Sequence, residues 1–454
     1  MKVFNITDYG AHYSDVVQTE KIQKAIDDCF LAGGGRVLVP AGTYLTGSIR
    51  LRSGVELYLE SGAVLKGSRD PEDYFGYLED PLEPIEPEEV GNTPQTCRSA
   101  ISTSRWSNGL IRAFDAHDIA VIGEKGSYID GCNCMDPQGE GNYRGPHGMS
   151  LWRCENIRLE GYTFLHSANW CHAIFQSKNI TVRDIAVFGG HDGVDFRTCD
   201  QVLVENCEFQ CGDDCVAGFD IHDMTVRNCI VNSACQSFRI GGNNILIENC
   251  NSVERPLRFP FRLSLTDEEK REGANTGKGE NIRHEMITSF TYYCDNRAVL
   301  RRPAENIVIK NCNFAQVREA FRLEFDGLHR WCCNRSLRSI TFENCIMGEI
   351  IRPGMLWGDA KEKVTCHLKN VTVRAKEGAG EFPILVAANF DKIIFENCTV
   401  EGWEDPVIWV ADEGTVEQIA STPIAVKKAT REQCIEAHPW GIAPQDREKM
   451  KKSV

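Results

Sequence analysis

The sequence predicts an all-β chain that folds as a right-handed parallel β-helix, a solenoid of stacked coils, with a short N-terminal capping helix. The first observation is a fixed period. The apolar residues that open five successive β-rich units, Ile157, Ile180, Val202, Met224 and Ile245, are 23, 22, 22 and 21 residues apart. Repeats of about 20–50 residues indicate solenoids. The second observation is alternation of apolar and polar residues within each unit, as in VLVENCEF, which is typical of a half-buried strand.

The third observation is that asparagine holds one position of the repeat and cysteine holds the next. These residues are Asn206, Asn228, Asn249, Asn311, Asn344 and Asn397, followed by Cys207, Cys229, Cys250, Cys312, Cys345 and Cys398. Asparagine suits a tight turn because it tolerates positive φ, and stacked side-chain amides can bond each other. Cysteine behaves as a small buried apolar residue. Leucine-rich repeats are excluded because the units carry no leucine consensus.

A single β-helix domain is predicted for residues 1–454 because a solenoid grows without splitting into domains. Within it we expect an N-terminal cap at 1–35, coils over about 36–410, and a C-terminal tail over about 411–454, polar and helical at its end.

The capping helix is expected at about 19–31, where TEKIQKAIDDCFLA begins with Thr19 as the N-cap and ends before three glycines. Its apolar face would consist of Ile22, Ala25, Ile26 and Cys29. This helix would cover the open edge of the first coil, which could otherwise pair with another chain.

Three segments lack the repeat and are predicted to be long loops, at 70–108, 131–148 and 255–303. The first and third could form walls of a cleft. The third mixes aromatic residues with Arg255, Arg258, Arg262, Arg297 and Arg301. These arginines would either bind an anionic sugar or pair with neighbouring Asp and Glu, and the sequence leaves both alternatives open.

The net charge of −15 argues against nucleic acid and anionic membranes as main partners, whereas an acidic sugar would require a local basic cleft.

The start of the chain lacks the apolar core of a signal peptide, and many of the 21 cysteines occupy strand positions. Both facts predict a cytoplasmic protein with reduced thiols. No paired CxxC spacing is present, so neither a metal site nor a cofactor is expected. The oligomeric state is left open.

Two short glycine-flanked motifs carry the acidic residues that point to a function. Asp192 lies in HDGVD, and Asp213 and Asp214 lie in CGDDC, where 213 − 192 = 21 residues is one coil. Backbones of adjacent coils lie about 4.8 Å apart. Like charges this close raise at least one pKa, and a proton donor beside ionised carboxylates is what glycoside hydrolysis needs. Each Asp alone could be a turn residue, but three on adjacent coils favour a site.

HDGVD followed one coil later by CGDDCVA resembles the polygalacturonase family, glycoside hydrolase family 28, whose signatures read Asn-Thr-Asp-Gly-Ile-Asp and Gly-Asp-Asp-Cys-Ile-Ala. The resemblance extends over about residues 3–350 through FNITDYGA, TEKIQKAIDDC, GGGRVLVPAGTYLTGSI and LYLESGAVLKGS. It implies that Asp213 is the general acid, while Asp192 and Asp214 activate water for direct, inverting attack. Asp195, the last Asp of the first motif, would support them.

Three departures from the family concern substrate binding. Gly190-His191 replaces the family's Asn-Thr, Gln236 replaces its active-site histidine, and Arg-Leu-Glu at 322–324 replaces an Arg-Ile-Lys motif that holds a uronate carboxylate. A glutamate in place of that lysine would repel a carboxylate. His191 and Arg239 are candidate substitutes; alternatively, His191 is a turn histidine bonded to backbone. The candidate substrate-binding residues are therefore His191, Gln236, Arg239 and Arg322.

We expect a glycosidase, inverting and exo-acting, that cleaves pectin-related or other plant-derived oligosaccharides by carboxylate general acid/base catalysis. The alternative is another carbohydrate-active β-helix, either a polysaccharide lyase or a non-catalytic sugar-binding solenoid. The sugar and the linkage remain open.

Overall fold

A computed structural model describes residues 1–76, 108–136, 144–252, 286–294, 301–324 and 336–438, together with the backbone of short strands at 259–260 and 282–283. These residues fall into two compact units. Unit 1 lies within Met1–Ala217 and Leu257–Arg283, and unit 2 lies within Gly218–Pro256 and His284–Val454. Most of the predicted loops at 70–108 and 255–303, and residues 137–143 of the predicted loop at 131–148, fall outside the described residues.

In the described residues of its first segment, Met1–Ala217, unit 1 contains two 3₁₀ turns (Ile6–Tyr9 and Pro71–Asp73), helix α1 (Thr19–Leu31) and eighteen consecutive strands before β19 (Val216–Arg227). The strands are β1 (Val3–Asn5), β2 (Gly35–Val39), β3 (Gly42–Thr46), β4 (Ile49–Arg50), β5 (Val55–Leu59), β6 (Ala63–Gly67), β7 (Gly109–Phe114), β8 (His117–Gly123), β9 (Tyr128–Asp130), β10 (His147–Trp152), β11 (Glu155–Glu160), β12 (Thr163–Leu165), β13 (His172–Phe175), β14 (Lys178–Arg183), β15 (Ala186–Gly189), β16 (Val194–Arg197), β17 (Asp200–Glu205) and β18 (Glu208–Cys211).

Strand β19 (Val216–Arg227) begins at the end of unit 1. The further strands are β20 (Ile230–Ser233), β21 (Gln236–Glu248), the antiparallel pair β22 (Phe259–Pro260) and β23 (Ile282–Arg283), β24 (Met286–Tyr292), β25 (Glu305–Lys310), β26 (Asn313–Phe314), β27 (Val317–Glu319), β28 (Arg322–Glu324), β29 (Ser339–Glu343), β30 (Ile346–Ile350), β31 (Gly354–Trp357), β32 (Val364–Lys369), β33 (Thr372–Ala375), β34 (Leu385–Ala388), β35 (Phe390–Glu396), β36 (Thr399–Glu401), β37 (Val407–Val410), β38 (Thr415–Ile419) and β39 (Ala425–Lys428). Helix α2 (Arg431–Ala437) follows them in unit 2.

Each complete coil of unit 1 contributes one strand to each of three parallel stacks, which we call faces 1, 2 and 3. Face 1 contains β2, β5, β8, β11, β14 and β17. Face 2 contains β3, β6, β9, β12, β15 and β18. Face 3 contains β4, β7, β10, β13 and β16. The predicted right-handed parallel β-helix is thereby confirmed.

Unit 2 repeats the same arrangement. Its face 3 contains the first part of β21, then β24, β28, β31, β34, β37 and β39. Its face 1 contains the second part of β21, then β25, β29, β32, β35 and β38. Its face 2 contains β26, β30, β33 and β36. Parallel strand pairing thus continues past residue 410, where the sequence predicted that the tail begins. The prediction that the chain is a single domain stays a prediction.

The register of the coils follows the repeat that the sequence shows. Ile157 pairs with Ile180, and Ile180 pairs with Val202, so the opening apolar residues stack within unit 1. In unit 2, Ile245 pairs with Ile307 across the long insertion. Part of that predicted insertion is itself a coil strand, because β24 pairs with β21 and places Phe290 next to Phe238 in the core.

The asparagine ladder has the predicted geometry. All six of its asparagines adopt left-handed backbone, with φ between 51° and 56°. Asn249 Nδ2 donates to Asn228 Oδ1 at 3.3 Å, and Asn344 Nδ2 donates to Asn311 Oδ1 at 2.9 Å. A second ladder, which the sequence analysis missed, runs along the start of face 1, where Asn179 Nδ2 donates to Asn156 Oδ1 at 2.6 Å. Amide stacking therefore fixes two corners of the described coils.

The cysteines are stacked and reduced in the part of the chain that the structure describes. All eighteen described cysteines are free thiols, and all except Cys132 are buried. In the ladder, the backbone N–H of Cys250 donates to Cys312 Sγ at 3.4 Å. Burial raises the pKa of the Cys154 thiol to about 12. Since the thiolate is the reactive form, burial protects Cys154 chemically as well as sterically.

Helix α1 spans the predicted residues, but its predicted N-cap is wrong. Gln18, with φ of −125°, occupies the N-cap without capping the helix by its side chain, and Thr19 is the first helical residue. The Thr19 hydroxyl instead accepts a hydrogen bond from the backbone N–H of Gly47 at 2.7 Å. The predicted apolar face is buried, and Gln23 Nε2 donates to the carbonyl of Arg50 on β4 at 3.0 Å. The helix therefore docks on the first coils.

In the described residues, neither helix combines the length and apolarity required to cross a lipid bilayer.

The ladder leads to a thiol-counting prediction. A small alkylating reagent should modify few of the 21 cysteines in the native protein, whereas it should modify nearly all of them in the denatured protein. Mass spectrometry of freshly purified protein, alkylated before and after unfolding, measures both numbers. Disulfide bonds at most of these cysteines would contradict the ladder.

Candidate active site

Two turns between faces 2 and 3 of unit 1 form the candidate active site. One joins β15 to β16 and contains His191, Asp192 and Gly193; the other follows β18 and contains Asp213 and Asp214. The backbone N–H of Gly193 donates to the carbonyl of Asp214 at 2.9 Å. The two turns therefore stack directly, and the adjacency predicted from the 21-residue spacing is present.

Gly193 permits this close approach. A Cβ at this position would lie 2.6 Å from the carbonyl oxygen of Cys215 and 2.6 Å from the ring of Phe209. Any side chain would separate the turns, because carbon and oxygen atoms do not approach so closely without displacement. The glycine of HDGVD is therefore required by packing, and it brings the two acidic turns together.

The carboxylates of this site are almost completely shielded from solvent. Asp192 is 3% exposed, Asp213 is 4% and Asp214 is 1%. One carboxylate oxygen of Asp213 lies within 4.8 Å of one of Asp214. Burial, together with the charges of Asp213 and Asp214, raises the pKa of Asp192 well above its usual range. The charge of Asp195 also raises the pKa of Asp192, by a smaller amount, and the charge of Arg144 lowers it. The cluster therefore retains a proton at a pH where isolated aspartates are ionised.

Asp195 differs from the other acids because it is paired. Its Oδ1 accepts a hydrogen bond from Arg197 Nε at 2.9 Å, and both side chains point outward from face 3. The Arg197 guanidinium also lies over the ring of Trp170, 4.4 Å from its centroid. Asp195 thus pairs with an arginine that lies over an aromatic ring, and its supporting role in the site stays a prediction.

Sequence reasoning missed Arg144, Asn169 and Trp170. Arg144 Nη1 donates to Asn169 Oδ1 at 3.5 Å, and the same oxygen accepts from the backbone N–H of Trp170 at 3.1 Å. The three lie in segments outside the strand repeat, so no register position pointed to them. Their chemistry was the available signal, since a buried arginine in an acidic chain requires a negative neighbour.

The structure places the four predicted substrate-binding residues as follows. His191 is fully buried in the first acidic turn of unit 1. The other three belong to unit 2, where Gln236 begins β21 and Arg239 lies over the ring of Tyr293 at 3.6 Å. Arg322 is buried and its Nε donates to Glu319 Oε2 at 3.2 Å. Their roles as substrate ligands stay predictions.

Asp213 and Asp214 could together supply two oxygen ligands to a cation. Calcium takes about six to eight oxygen ligands, so a calcium site here would need several further donors.

The contrast between Asp192 and Asp195 gives a stability prediction. Asp192→Asn should stabilise the folded protein near neutral pH. A carboxyl whose pKa is raised by folding destabilises the folded state as the pH rises from its unfolded pKa of about 4 through the raised folded value, and asparagine removes this cost. The gain should be about 1.4 kcal/mol for each unit of pKa elevation, present near neutral pH and absent at about pH 3.

Asp195→Asn, three residues away, is the matched control and should destabilise the protein. It removes the carboxylate that pairs with buried Arg197, and such losses cost about 3–5 kcal/mol. Denaturant unfolding of both variants across pH measures the effects. Equal destabilisation by the two changes at neutral pH would contradict the raised pKa of Asp192.

Comparison with known proteins shows which protein family this chain resembles. A model of glycosyl hydrolases family 28 matches residues 83–243, which include both acidic turns. A "Probable polygalacturonase" of Vitis vinifera is 29% identical over 221 residues, covering 46% of this chain and 42% of the relative. An "Exo-poly-alpha-D-galacturonosidase" of Dickeya chrysanthemi is 28% identical over 256 residues, covering 47% of this chain and 41% of the relative. The chain therefore spans about two fifths of the length of each.

Two solved structures share the fold. An exopolygalacturonase from Thermotoga maritima has a TM-score of 0.61 at 19% identity, covering 82% of this chain and 87% of that one. A family 28 exopolygalacturonase from Yersinia enterocolitica has a TM-score of 0.58 at 17% identity, covering 94% of this chain and 78% of that one. Together with the paired acidic turns, the family match across them and the two curated relatives show that this part of the chain is similar to the polygalacturonase-like family, glycoside hydrolase family 28.

Proposed function

We propose that the protein is a glycoside hydrolase that inverts the anomeric centre and attacks pectin-related oligosaccharides from a chain end. The observation that carries this proposal is the buried cluster of Asp192, Asp213 and Asp214 on stacked turns, with the pKa of Asp192 raised by burial and by its two acidic neighbours. Hydrolysis of a glycosidic bond requires one protonated and one ionised carboxyl at the same site, and this cluster supplies both.

In the proposed mechanism, the proton that the cluster retains lies on Asp213 when the sugar is bound, so that Asp192 and Asp214 are ionised. The carboxyl of Asp213 donates this proton to the glycosidic oxygen as the bond to the anomeric carbon breaks. A water molecule held by Asp192 and Asp214 attacks the opposite side of that carbon and gives its proton to one of their carboxylates. The cluster therefore ends with the same number of protons, and one transfer between neighbours restores the starting state. Protons of such a cluster belong to the group rather than to one residue.

Inversion needs room for water, with about 6.5–9.5 Å between the acid and the base. Adjacent coils separate the backbones of the two turns by about 4.8 Å, and side chains that diverge from them add to this separation. Because carboxylate oxygens of Asp213 and Asp214 lie within 4.8 Å of each other, the acid and base with room for water in this proposal are Asp213 and Asp192, on adjacent coils.

The surroundings of the cluster support a sugar ligand. Trp170 provides an aromatic surface beside the acidic turns, and Arg144 and Arg197 provide positive charge within unit 1. Aromatic rings pack against the apolar faces of ligands, while arginines bond hydroxyl or carboxylate oxygens. The named activities of the plant and bacterial relatives, a probable polygalacturonase and an exo-poly-alpha-D-galacturonosidase, support a pectin-related substrate.

Plain polygalacturonate is not the preferred substrate in this proposal. The family's active-site histidine is Gln236, and the arginine of its uronate-binding motif, Arg322, is already bonded to Glu319. We also propose that the protein acts inside the cell on imported oligosaccharides, because its described cysteines are free thiols and almost all are buried.

The replaced histidine also favours a second candidate, a sugar-binding solenoid without catalysis. A binder would keep its affinity for oligosaccharide and would release no product. A polysaccharide lyase, the other alternative, would release unsaturated sugars. A lyase that uses calcium rather than a Lys or Arg base would also lose activity when a chelator removes the metal. Product analysis with and without chelator therefore separates the three.

Asp213→Asn should lower the turnover number on a cleaved oligosaccharide by about 10²–10⁴-fold, because it removes the general acid, while folding and sugar binding remain nearly intact. Asp200→Asn is the matched control, since Asp200 begins β17 on face 1 and lies outside the acidic turns. Steady-state kinetics with reducing-sugar detection measures both variants. Undiminished turnover in Asp213→Asn would remove Asp213 from the mechanism.

Substrate preference is tested by a screen of defined oligosaccharides, with the anomer of the first product followed by NMR. We expect weak or no cleavage of polygalacturonate and faster cleavage of short oligosaccharides with a neutral or differently substituted sugar at the cleaved bond. The first product should carry the inverted configuration. Rapid random depolymerisation of polygalacturonate, seen as a fast fall in viscosity with few reducing ends, would contradict the proposed specificity.

A further inference from the structure

One row of residues on face 3 of unit 2 changes from polar to apolar along the coils. Successive paired residues in this row are Arg239, Thr291, Arg322, Met355, Val386 and Trp409. They alternate along their strands with buried core residues such as Phe238 and Leu323, so the row belongs to the outer side of the face. The row carries two arginines at its beginning and apolar side chains from Met355 onward.

Helix α2 covers the apolar part of this row. Cys434 and Ile435 pack in one buried cluster with Met355, Trp357 and Val386. Trp409 adjoins the same cluster. Cys434 is completely buried there and Ile435 is 7% exposed. The outer side of face 3 is therefore closed by a helix in the coils that follow Arg322.

The beginning of α2 is fixed by polar contacts. Thr430 and Gln433 form a reciprocal capping box. Arg431 Nη2 donates to Asn389 Oδ1 at 2.8 Å and to Asp412 Oδ2 at 2.8 Å. An isolated helix of seven residues is not stable in water, so these contacts and the apolar cluster hold it in place.

The end of α2 is fixed by the carboxylate that also holds Arg322. His438 directly follows the helix, and its Nε2 lies 2.8 Å from Glu319 Oε2. Glu319 is completely buried. Burial alone would raise the pKa of Glu319, but the charges of Arg322, His438 and Arg352 outweigh it and hold the pKa well below its usual range. Glu319 therefore links the helix to the coil that carries Arg322.

We propose that α2 is the end wall of a sugar-binding surface on face 3 of unit 2 and that it limits how much of a sugar chain this surface accepts. This inference rests on the proposed function, because it takes the ligand of this surface to be an oligosaccharide. Arg239 and Arg322 lie two coils apart, about 10 Å along the row, and Met355 lies on the next coil. A sugar chain that lies across the coils along this row meets α2 one coil beyond Arg322.

The test releases the helix in the full-length chain and measures binding against sugar length. Ile435→Asp places an unpaired carboxylate in the apolar cluster, which should detach α2. His438→Ala is a second variant that removes only the contact with Glu319. Glu436→Ala, at an exposed position of the same helix, is the matched control. Alkylation of Cys434, located by mass spectrometry, reports helix release without reference to activity.

Binding is measured by calorimetry with sized pectin oligosaccharides, from disaccharide to octasaccharide, in the Asp213→Asn background so that little product forms during the measurement. With α2 in place, affinity should stop rising after the first few sugars. With α2 released and Cys434 reactive, the longest oligosaccharides should bind about tenfold more tightly than in the control, which corresponds to about 1.4 kcal/mol.

The outcomes distinguish this inference from the proposed function. Binding whose length dependence does not change, although Cys434 has become reactive, would overturn the end wall alone. A Cys434 that stays protected in both variants would also overturn it, because α2 would then be an inseparable part of the coil core. Failure of every oligosaccharide to bind, even with α2 in place, would overturn the proposed function and this inference together.

Discussion

Coil-on-coil stacking at about 4.8 Å is the constraint on which the rest of this structure depends. Residues one period apart in sequence become direct neighbours in space, whatever their chemistry. For asparagine this is favourable, because each side-chain amide bonds the next, as between Asn228 and Asn249. For cysteine it gives a column of buried thiols. For the turns that contain Asp192 and Asp214, the same stacking places acidic groups against each other.

The stacking of the two acidic turns destabilises the folded protein, but it favours acid/base catalysis. A buried carboxyl beside two others cannot ionise at its usual pH, so the pKa of Asp192 rises. The neighbouring acid Asp195 is treated differently by the fold, since Arg197 pairs with it. Two aspartates of one five-residue motif, HDGVD, therefore have opposite electrostatic environments. A carboxyl whose pKa is raised by burial and by its acidic neighbours is the kind of group that acid/base catalysis uses.

The sequence predicted those features that depend on the period. Ile157, Ile180 and Val202 stack as expected, and so do the two acidic turns, because a repeat with constant length determines neighbours directly. The period does not determine contacts made by chain outside the strands. Arg144 and Trp170 beside the acidic turns and His438 beside Glu319 are neighbours through such segments, separated in the last case by 119 residues. Thr19 was misassigned for a related reason, since its hydroxyl bonds Gly47 in the next segment rather than its own helix.

The measurement that tests the central claim most directly is a carbon NMR titration of the aspartate carboxyl groups in the folded protein, with Asp192→Asn used to assign the resonance of Asp192. Asp192 should take up its proton well above the usual aspartate pKa of about 3.9, and the titration of the cluster should change when Asp213 or Asp214 is replaced by asparagine. An Asp192 resonance that titrates at about the usual pKa of 3.9, independently of both neighbours, would contradict the raised pKa of Asp192.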